Sequence, residues 1–325
     1  MAELPDLSVP HTVRTHLGAD VLTILTRHWP ALYTQDLEAT PFQSPAWLTA
    51  AARLLPTTAT PLVLTATTAS GRIIAALALT RDREHTRVQF RPLSAPHLSH
   101  LRLTGPHADD DAVAHGFALH MLLLHHTGAE ITLPGLRADT TLGRAVQTVG
   151  QGSLSADTSL RPSLVLPFRA EDLAPSRRRA HVRRCRHWAR LSATRTVTYQ
   201  RSHHQQDLRT GLEVLAALHE LSPGPAGVVP WHRVVPALGT AGAFTAVLRV
   251  DGTPVAAQLC LTRSRHAYST DQAAHPAYRH LGPANALLRQ LLDDLAHQGF
   301  HSLDPGRASH PARSAAPHPP IRLAA

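Results

Sequence analysis

The sequence predicts an α/β protein built from two copies of one unit, and three features of the chain lead to this expectation. Two apolar segments, residues 73–81 and 255–263, resemble each other, and each follows a glycine turn typical of a β-hairpin. Two leucine-rich helical segments each follow a Gly-Pro pair. The segments after these helices, which begin at Gly128 and Gly299, align without gaps. The order strand, hairpin, strand, Gly-Pro, helix, strand is therefore expected twice.

The second Gly-Pro pair, Gly282-Pro283, stands directly before a helix whose leucines recur at helical spacing and which is expected to end at Gly299. Proline favours the first helical turn, and a glycine before it lets the backbone approach a ligand closely. Arg279 adds a positive charge, and the first acidic residue is Asp293. Exposed N–H groups and the helix dipole attract anions, so this turn predicts a pyrophosphate site.

The first Gly-Pro pair, Gly105-Pro106, has different surroundings. It is followed by Asp109, Asp110 and Asp111 at the expected start of the helix. Acidic residues cap a helix N-terminus well and repel a phosphate. Only the C-terminal copy is therefore expected to bind an anion.

The length of 325 residues suits two domains of ordinary size. We expect a first domain at residues 1–167, a second at 168–307 and an irregular tail at 308–325, which is rich in proline, alanine and histidine. Cys185 and Cys260 suggest no disulfide framework or zinc finger, and no apolar run resembles a signal peptide or a membrane span. A cytoplasmic protein without membrane association is expected.

The composition also limits the chemistry. All 32 basic residues are arginine, and a phosphate-binding loop of the Gly-x-x-x-x-Gly-Lys type requires a lysine. The missing lysine and the single asparagine indicate the codon bias of a GC-rich genome. The 24 histidines show no metal-ligand spacing, so no metal site is expected. The net charge of +9 permits a polyanionic partner without requiring one.

Residues 176–191 predict an arginine-rich helix. Its spacing aligns Arg179, Arg183, Arg186 and Arg190 on one face, which we name the arginine stripe. The opposite side is expected to pack through Val182, Cys185, Trp188 and Ala189. Either the stripe is a solvated helix face, or it cradles phosphates of CoA or of a tRNA acceptor stem.

The turn Arg279-x-x-Gly282-x-Ala284 resembles the (Gln/Arg)-x-x-Gly-x-(Gly/Ala) loop with which GNAT-superfamily N-acyltransferases bind the pyrophosphate of acetyl-CoA. Longer segments, beginning at Pro41, Ser176 and Asp251, resemble the CelD/BcsL-like branch, which carries tandem GNAT-like halves and is related to the Fem-type aminoacyl-tRNA transferases. This similarity covers most of residues 40–307 and implies tandem GNAT-like domains, each a mixed, largely antiparallel twisted sheet flanked by helices. One departure is that the branch often has Tyr-Lys after its last glycine, whereas Arg-Ala follows Gly306 here.

The resemblance also implies a donor substrate, acetyl-CoA or another acyl-CoA, and the residues that bind it. The phosphate loop corresponds to Arg279, Gly282, Ala284 and Asn285. In the preceding strand, Ser269 and Thr270 would offer backbone groups to the pantetheine arm.

Direct attack of an amine on a thioester requires positioning, a proton acceptor and polarisation of the carbonyl. Asp304 and Tyr268 are the favoured catalytic candidates because their strand positions point them toward the expected cleft. Glu220 and His275 are candidates for contact with the acceptor substrate, and Asp271 is a further ionisable candidate.

Three functions remain open at this point. The first is an acyl-CoA-dependent N-acyltransferase acting on an amine of a small molecule or peptide, and the second is a Fem-like transferase that takes an aminoacyl group from tRNA. The third, a non-catalytic binding protein, fits poorly with the retained Arg279 and Gly282 pattern. No coiled-coil arm of the Fem type is visible, which favours the first function over the second.

Overall fold

The computed structural model describes residues 10–84, 87–93, 100–150, 163–172, 175–221 and 235–306. The described residues up to 150 form one compact unit, and those from 163 to 306 form another. Each unit contains one mixed sheet flanked by helices, which confirms the predicted α/β class. The expected tail at 308–325 lies outside the described residues.

The first unit is built on a five-stranded sheet with the strand order β1-β2-β3-β4-β5. Only the last pair, β4 with β5, is parallel. The strands are β1 (His11–Leu17), β2 (Ala59–Thr68), β3 (Ile73–Glu84), β4 (Arg87–Pro92) and β5 (Ala129–Ile131).

Helices of the first unit precede β2 and follow β4. The helices are α1 (Ala19–Thr23), α2 (Trp29–Gln35), α3 (Pro45–Arg53), α4 (Asp111–His126) and α5 (Thr141–Val149). A π-helical turn, Ile24–His28, joins the first two, and a 3-10 turn, Pro41–Gln43, precedes α3. The leucine-rich segment expected after the first Gly-Pro pair is therefore α4, which contacts β1, β2 and β5.

The second unit is built on a six-stranded sheet with the order β6-β11-β10-β9-β8-β7, in which only β10 and β11 are parallel. The strands are β6 (Leu164–Val165), β7 (Val197–Arg201), β8 (Ala243–Val250), β9 (Thr253–Arg263), β10 (His266–Ala274) and β11 (Ser302–Asp304). The expected division at residue 167 assigns β6 to the first domain. Its pairing with β11 instead puts it in the second sheet, a long-range contact that local patterning does not show.

Helices cover both faces of the second sheet. They are α6 (Pro175–Thr194), α7 (Gln205–Leu221), α8 (Gly239–Gly242) and α9 (Pro283–His297), with 3-10 turns at Ala170–Asp172, Val235–Leu238 and Pro276–Leu281. On one face α7 contacts β8, β9 and β10. On the other face, α6 and α9 share one apolar core with residues of β8, β9 and β10. Across the described ranges, no helix combines the length and hydropathy needed to cross a membrane.

Both predicted hairpins are present. In the first, β2 pairs with β3 across a turn that contains Gly71 at φ 83°. In the second, β8 pairs with β9 across Asp251 and Gly252, which have φ angles of 49° and 81°. Two successive positive φ angles suit the right-handed twist of a two-residue hairpin, and this is why aspartate and glycine occur there.

The helix α9 begins at Pro283, as the sequence predicts, and Gly299 follows its end with φ 76°. Its apolar face is fully packed, since Leu287, Leu291 and Leu295 are inaccessible to solvent. The same leucines join the core that contains Cys260, a residue of β9. This packing fixes the helix against the sheet and thereby fixes the position of its N-terminus.

The arginine-rich helix also forms, as α6, but its packed side differs from the expectation. Trp188 is buried, whereas Ala189 is exposed and Val182 is 38% exposed. Val182 lies among the arginines because it is three or four residues from Arg178, Arg179 and Arg186, which is the spacing of one helix face. The placement of Val182 and Ala189 on the packed side was therefore wrong.

Candidate functional site

The N-terminus of α9 is open to an anion. Gly282 precedes the helix in the left-handed region, with φ 64° and ψ 50°, and no side chain caps the helix. A Cβ atom at Gly282 would meet only the side-chain nitrogen of Asn285, at 3.7 Å. Arg279 and Asn285 are both exposed beside this turn, and no acidic residue occurs in the first turn of the helix. The predicted phosphate loop thus forms a local surface with a helix dipole, an arginine and free space above a glycine.

Two contacts hold this phosphate loop. Gly282 donates its N–H to the carbonyl of Arg279 at 3.0 Å, which closes the 3-10 turn Pro276–Leu281. The indole Nε1 of Trp188 donates to the carbonyl of Leu281 at 2.7 Å. Trp188 belongs to α6, and its side chain is buried. The arginine-rich helix is therefore hydrogen-bonded directly to the residue before Gly282.

The corresponding turn in the first unit is closed. Asp110 caps α4 and accepts from the N–H groups of Ala112 and Val113 at 2.8 and 3.3 Å. The N–H of Gly105 donates to the buried carboxylate of Asp36, at 3.2 Å. The donors that an anion would need are therefore used by carboxylates of the protein itself.

A β-bulge in β10 determines which side chains share a face of the second sheet. The register shifts between Ser269, which pairs with Cys260, and Asp271, which pairs with Leu259. Thr270 is the additional residue, and its hydroxyl donates to the carbonyl of Tyr268 at 3.2 Å. In a regular strand, residues three positions apart point to opposite faces of the sheet. Because of the extra residue, Tyr268 and Asp271 both face α7.

Asp304 belongs to the same face. It pairs in parallel register with Tyr268 at the last paired position of β10 and β11, while the preceding residue, Leu303, is buried in the core under α9. The Asp304 side chain is almost completely buried, and its Oδ1 accepts from the N–H of Gly306 at 2.6 Å. Gly306 has φ 68°, and a Cβ there would approach the Ser269 carbonyl to 2.7 Å. The chain after β11 therefore stays close to β10.

An ion pair that the sequence did not predict completes this face. His219, in the last turn of α7, donates from Nε2 to Oδ1 of Asp271 at 3.0 Å. Hydrogen bonding to Asp271 raises the pKa of His219 above its ordinary value of 6.5, and the Asp271 charge adds to this effect against the opposing effect of burial. We name His219, Tyr268, Asp271 and Asp304 the α7-face cluster.

The structure gives the two expected substrate residues different surroundings. Glu220 is exposed on α7. The side chain of His275 caps the 3-10 turn by accepting from the N–H of Ala277 at 3.2 Å, and its ring contacts Tyr278 edge to face at 5.3 Å. His275 therefore supports the phosphate loop locally, and Glu220 lies outside the α7-face cluster.

His219 could have been found from the periodicity of α7. The buried residues Leu208, Leu212 and Leu215 define its packed stripe, and His219 lies four residues after Leu215. Glu220 is one residue further, a rotation of about 100° around the helix. The partner of His219, Asp271, is 52 residues away in the sequence. The ion pair itself therefore could not be predicted from a local sequence pattern.

The arginine stripe lines a surface groove of about 560 Å³. Its lining residues all belong to α6: Arg178, Arg179, Val182, Arg183, Arg186, His187 and Arg190. Trp188 lies on the opposite side of the helix from Arg186, so the groove faces away from α9. Among the described residues, no group of three or more histidine, cysteine, aspartate or glutamate side chains is arranged to hold a metal ion.

Residues 176–313 match the model of the family described as acetyltransferase (GNAT) domain. The chain is similar over most of its length to the crystal structure of FemX, with a TM-score of 0.54, 10% sequence identity and coverage of 89% of both chains. Each unit is a mixed sheet flanked by helices, which is consistent with tandem GNAT-like domains. The CelD/BcsL-like branch remains a prediction.

A second structural neighbour is the C-terminal domain of a protein assigned as a lysylphosphatidylglycerol synthetase from Agrobacterium fabrum. Its TM-score is 0.51 at 11% identity, and the alignment covers 88% of this chain and 78% of that domain. A tandem GNAT protein from the clavulanic acid biosynthesis pathway aligns over 92% of this chain and 91% of its own, with a TM-score of 0.46 and 11% identity. A sequence search of curated proteins finds no match. At these identities the FemX structure and the Agrobacterium domain establish a shared fold alone.

Proposed function

We propose that this protein is an N-acyltransferase of the CelD/BcsL-like branch that moves an acyl group, acetyl in the simplest case, from acyl-CoA to an amine of a small molecule or peptide. The observation that carries the proposal is the uncapped N-terminus of α9 with Gly282 and Arg279 beside it. The two cysteines of the second unit are both free, in keeping with the cytoplasmic setting that we propose.

The phosphate loop suits the pyrophosphate of CoA. A pyrophosphate requires a positive electrostatic potential and close backbone approach, and the Gly282 turn offers a helix N-terminus without a side-chain cap, an adjacent arginine and open space above the glycine. Arg279, Ala284 and Asn285 are the other proposed binding residues. Ser269 and Thr270, at the bulge of β10, are proposed to contact the pantetheine arm, since the bulge interrupts the regular ladder there.

The acceptor amine is proposed to bind on the other face of the second sheet. The α7-face cluster supplies a phenol, two carboxylates and an imidazole in the neighbourhood of the bulge, whereas Gly282 precedes a helix on the opposite face. Tyr268 and Asp304 are the proposed catalytic contacts. A donor bound through its phosphates on one face and reacting with an amine on the other would meet two of the three requirements of acyl transfer, positioning and proton transfer.

Calorimetric titration tests the proposal. We expect acetyl-CoA to bind with one site per chain, and acetyl-pantetheine, which lacks the pyrophosphate, to bind at least about tenfold more weakly, a difference of about 1.4 kcal/mol. Release of CoA thiol in the presence of primary amines such as spermidine, glucosamine and a short peptide then reports transfer. Failure of acetyl-CoA to bind would refute the proposed donor.

A second candidate function is favoured by the arginine stripe. Its exposed guanidinium groups line a groove without any acidic residue in α6, as a phosphate backbone would require. This suits a Fem-like transferase that takes an aminoacyl group from tRNA and forms an amide or peptide bond.

Replacement of the four stripe arginines by glutamine separates the two functions. For the acyl-CoA enzyme, we expect the quadruple variant to keep turnover within about tenfold, or about 1.4 kcal/mol, and the unmodified protein to bind tRNA weakly. For the Fem-like enzyme, binding of aminoacyl-tRNA would be tight, and the variant would lose about three units of slope in a log-log plot of affinity against salt. Tight, selective binding of aminoacyl-tRNA would replace the leading proposal.

A further inference from the structure

The imidazole of His219 is held in one orientation by a fixed carboxylate. Its Nε2 lies 3.0 Å from Oδ1 of Asp271, and the same oxygen accepts from the backbone N–H of Gln272 at 2.8 Å. The His219 and Asp271 side chains are 28% and 20% exposed, so the pair is partly screened from water while still accessible. Because the carboxylate accepts a hydrogen bond from the Nε2–H group, the neutral ring keeps its lone pair on the other nitrogen, Nδ1, which can accept a proton.

The position of this pair in the fold connects it with acyl transfer. Asp271 directly follows Thr270, the additional residue of the bulge. Tyr268, two residues before Thr270, lies on the same face of the sheet as Asp271. The imidazole thus lies on the face proposed for the amine, across β10 from the face that carries α9.

We propose that His219 is the catalytic residue that accepts the proton of the attacking amine, and that Asp271 is the positioning residue that orients its ring. This assignment rests on the proposed acyl-CoA function. Other carboxylates are less suitable, since Oδ1 of Asp304 is already engaged by the N–H of Gly306 and Glu220 faces solvent.

The proton and bond changes balance in one cycle. The amine nitrogen forms a bond to the thioester carbonyl carbon, and the carbon–sulfur bond breaks. The proton lost by nitrogen passes to Nδ1 of His219, and Asp271 stabilises the imidazolium that results. The departing thiolate takes a proton from the Tyr268 hydroxyl or from water, and the imidazolium returns its proton to that donor. The net change is one N–H bond lost and one S–H bond gained, without an oxidant or reductant.

The charge of Asp271 also affects the pKa of His219. The other charged or titratable side chains on α7 and on the sheet face beneath it are Asp207, Arg209, Glu213, Glu220, Arg249, Arg263, His266, Tyr268 and Asp304. Asp271 raises the pKa of His219 through its hydrogen bond and its charge. The neutral ring is the active form, so kcat is expected to rise with pH through a pKa above 6.5.

The first test follows the histidine itself. In protein with isotope-labelled histidine, we expect an NMR resonance that titrates above pH 6.5, that disappears in His219→Gln, and that titrates at lower pH in Asp271→Asn. Addition of acetyl-CoA should shift this resonance. His203→Asn, which changes an exposed histidine of the same unit, should leave it unchanged. A resonance that titrates normally, or that ignores bound acetyl-CoA, would refute the assignment.

The second test measures turnover with the amine that gives the fastest thiol release. In His219→Gln the introduced amide can still donate to Asp271 but cannot accept a proton, so we expect this variant to lower kcat by about 100-fold or more, with KM little changed. Asp271→Asn should move the acidic limb of the pH profile to lower pH. If acetyl-CoA binds and His219→Gln retains kcat, the assignment of His219 is wrong and the proposed function stands. If acetyl-CoA does not bind, the proposed function fails, and the catalytic role of His219 fails with it.

Discussion

The two Gly-Pro turns of the chain have related sequences but opposite chemistry. At Gly105 the backbone N–H is bonded to Asp36, whose buried carboxylate lies 3.4 Å from Arg102, and Asp110 caps the helix that follows. At Gly282 no side chain caps the helix, which begins immediately with Pro283. One turn is saturated by the protein's own carboxylates, and the other has no side-chain cap.

A helix N-terminus can bind an anion only where the protein itself leaves it unsatisfied, and the two turns differ in this condition. Both turns contain a glycine with positive φ, but the two glycines serve different purposes. A Cβ at Gly105 would lie 2.5 Å from the carbonyl oxygen of Ile74, whereas a Cβ at Gly282 has nothing nearer than 3.7 Å. Gly105 therefore serves close packing within the protein, and Gly282 leaves room for something outside it.

The largest expected effect is on stability at Gly105. Gly105→Ala should lower the free energy of unfolding by about 3 kcal/mol or more, because it combines an unfavourable φ with a backbone clash. Gly282→Ala should cost only about 1 kcal/mol, for the left-handed conformation alone. Denaturant unfolding of both variants measures the difference, and equal losses would mean that the two glycines have the same purpose.

The next effect is on ligand binding at Gly282. Gly282→Asp should weaken acetyl-CoA binding by at least about 100-fold, or about 2.7 kcal/mol, since it sets a carboxylate where phosphate is proposed to bind. Gly282→Asn is the matched control, because asparagine tolerates the left-handed conformation without adding charge, and it should stay within about tenfold of the unmodified protein. Calorimetry measures both affinities. An unchanged affinity in Gly282→Asp would show that the loop has another purpose.

A smaller effect is expected at the cap of the first unit. Asp110→Ala removes the acceptor for the N–H groups of Ala112 and Val113 and should cost about 1 kcal/mol of stability. It should not create a CoA site there, because Gly105 remains bonded to Asp36. Thermal unfolding and calorimetry check these points, and a second binding event in the variant would contradict the comparison.

The smallest effect is expected at Arg279. Its side chain is exposed, so Arg279→Gln should weaken acetyl-CoA binding only about threefold at physiological salt. Glutamine is also accepted at this position in the GNAT loop pattern. Titration at two salt concentrations tests the idea, since the variant should show a weaker salt dependence. A loss as large as that of Gly282→Asp would mean that Arg279, rather than the helix terminus, provides most of the binding.

Several elements could be predicted because their signals are local. The hairpin at Asp251 and Gly252, and the start of α9 at Pro283, follow from turn and helix preferences of a few adjacent residues. The acidic N-terminus of α4 could also be predicted from the sequence, and the structure shows Asp110 as its cap. The position of the domain boundary, expected at residue 167, could not be predicted correctly. The strand β6 is only two residues long, and its pairing with the distant strand β11 assigns it to the second sheet.

The sequence by itself determined the two copies, their order of elements and which Gly-Pro turn keeps an open helix terminus, since each depends on short-range periodicity and charge. Only the tertiary structure decided that Trp188 holds the Leu281 carbonyl and that His219 meets Asp271. These pairs join residues far apart in the chain. In addition, one extra residue in β10 reverses the face of every side chain after it, and no spacing rule in the sequence reveals where that residue is inserted.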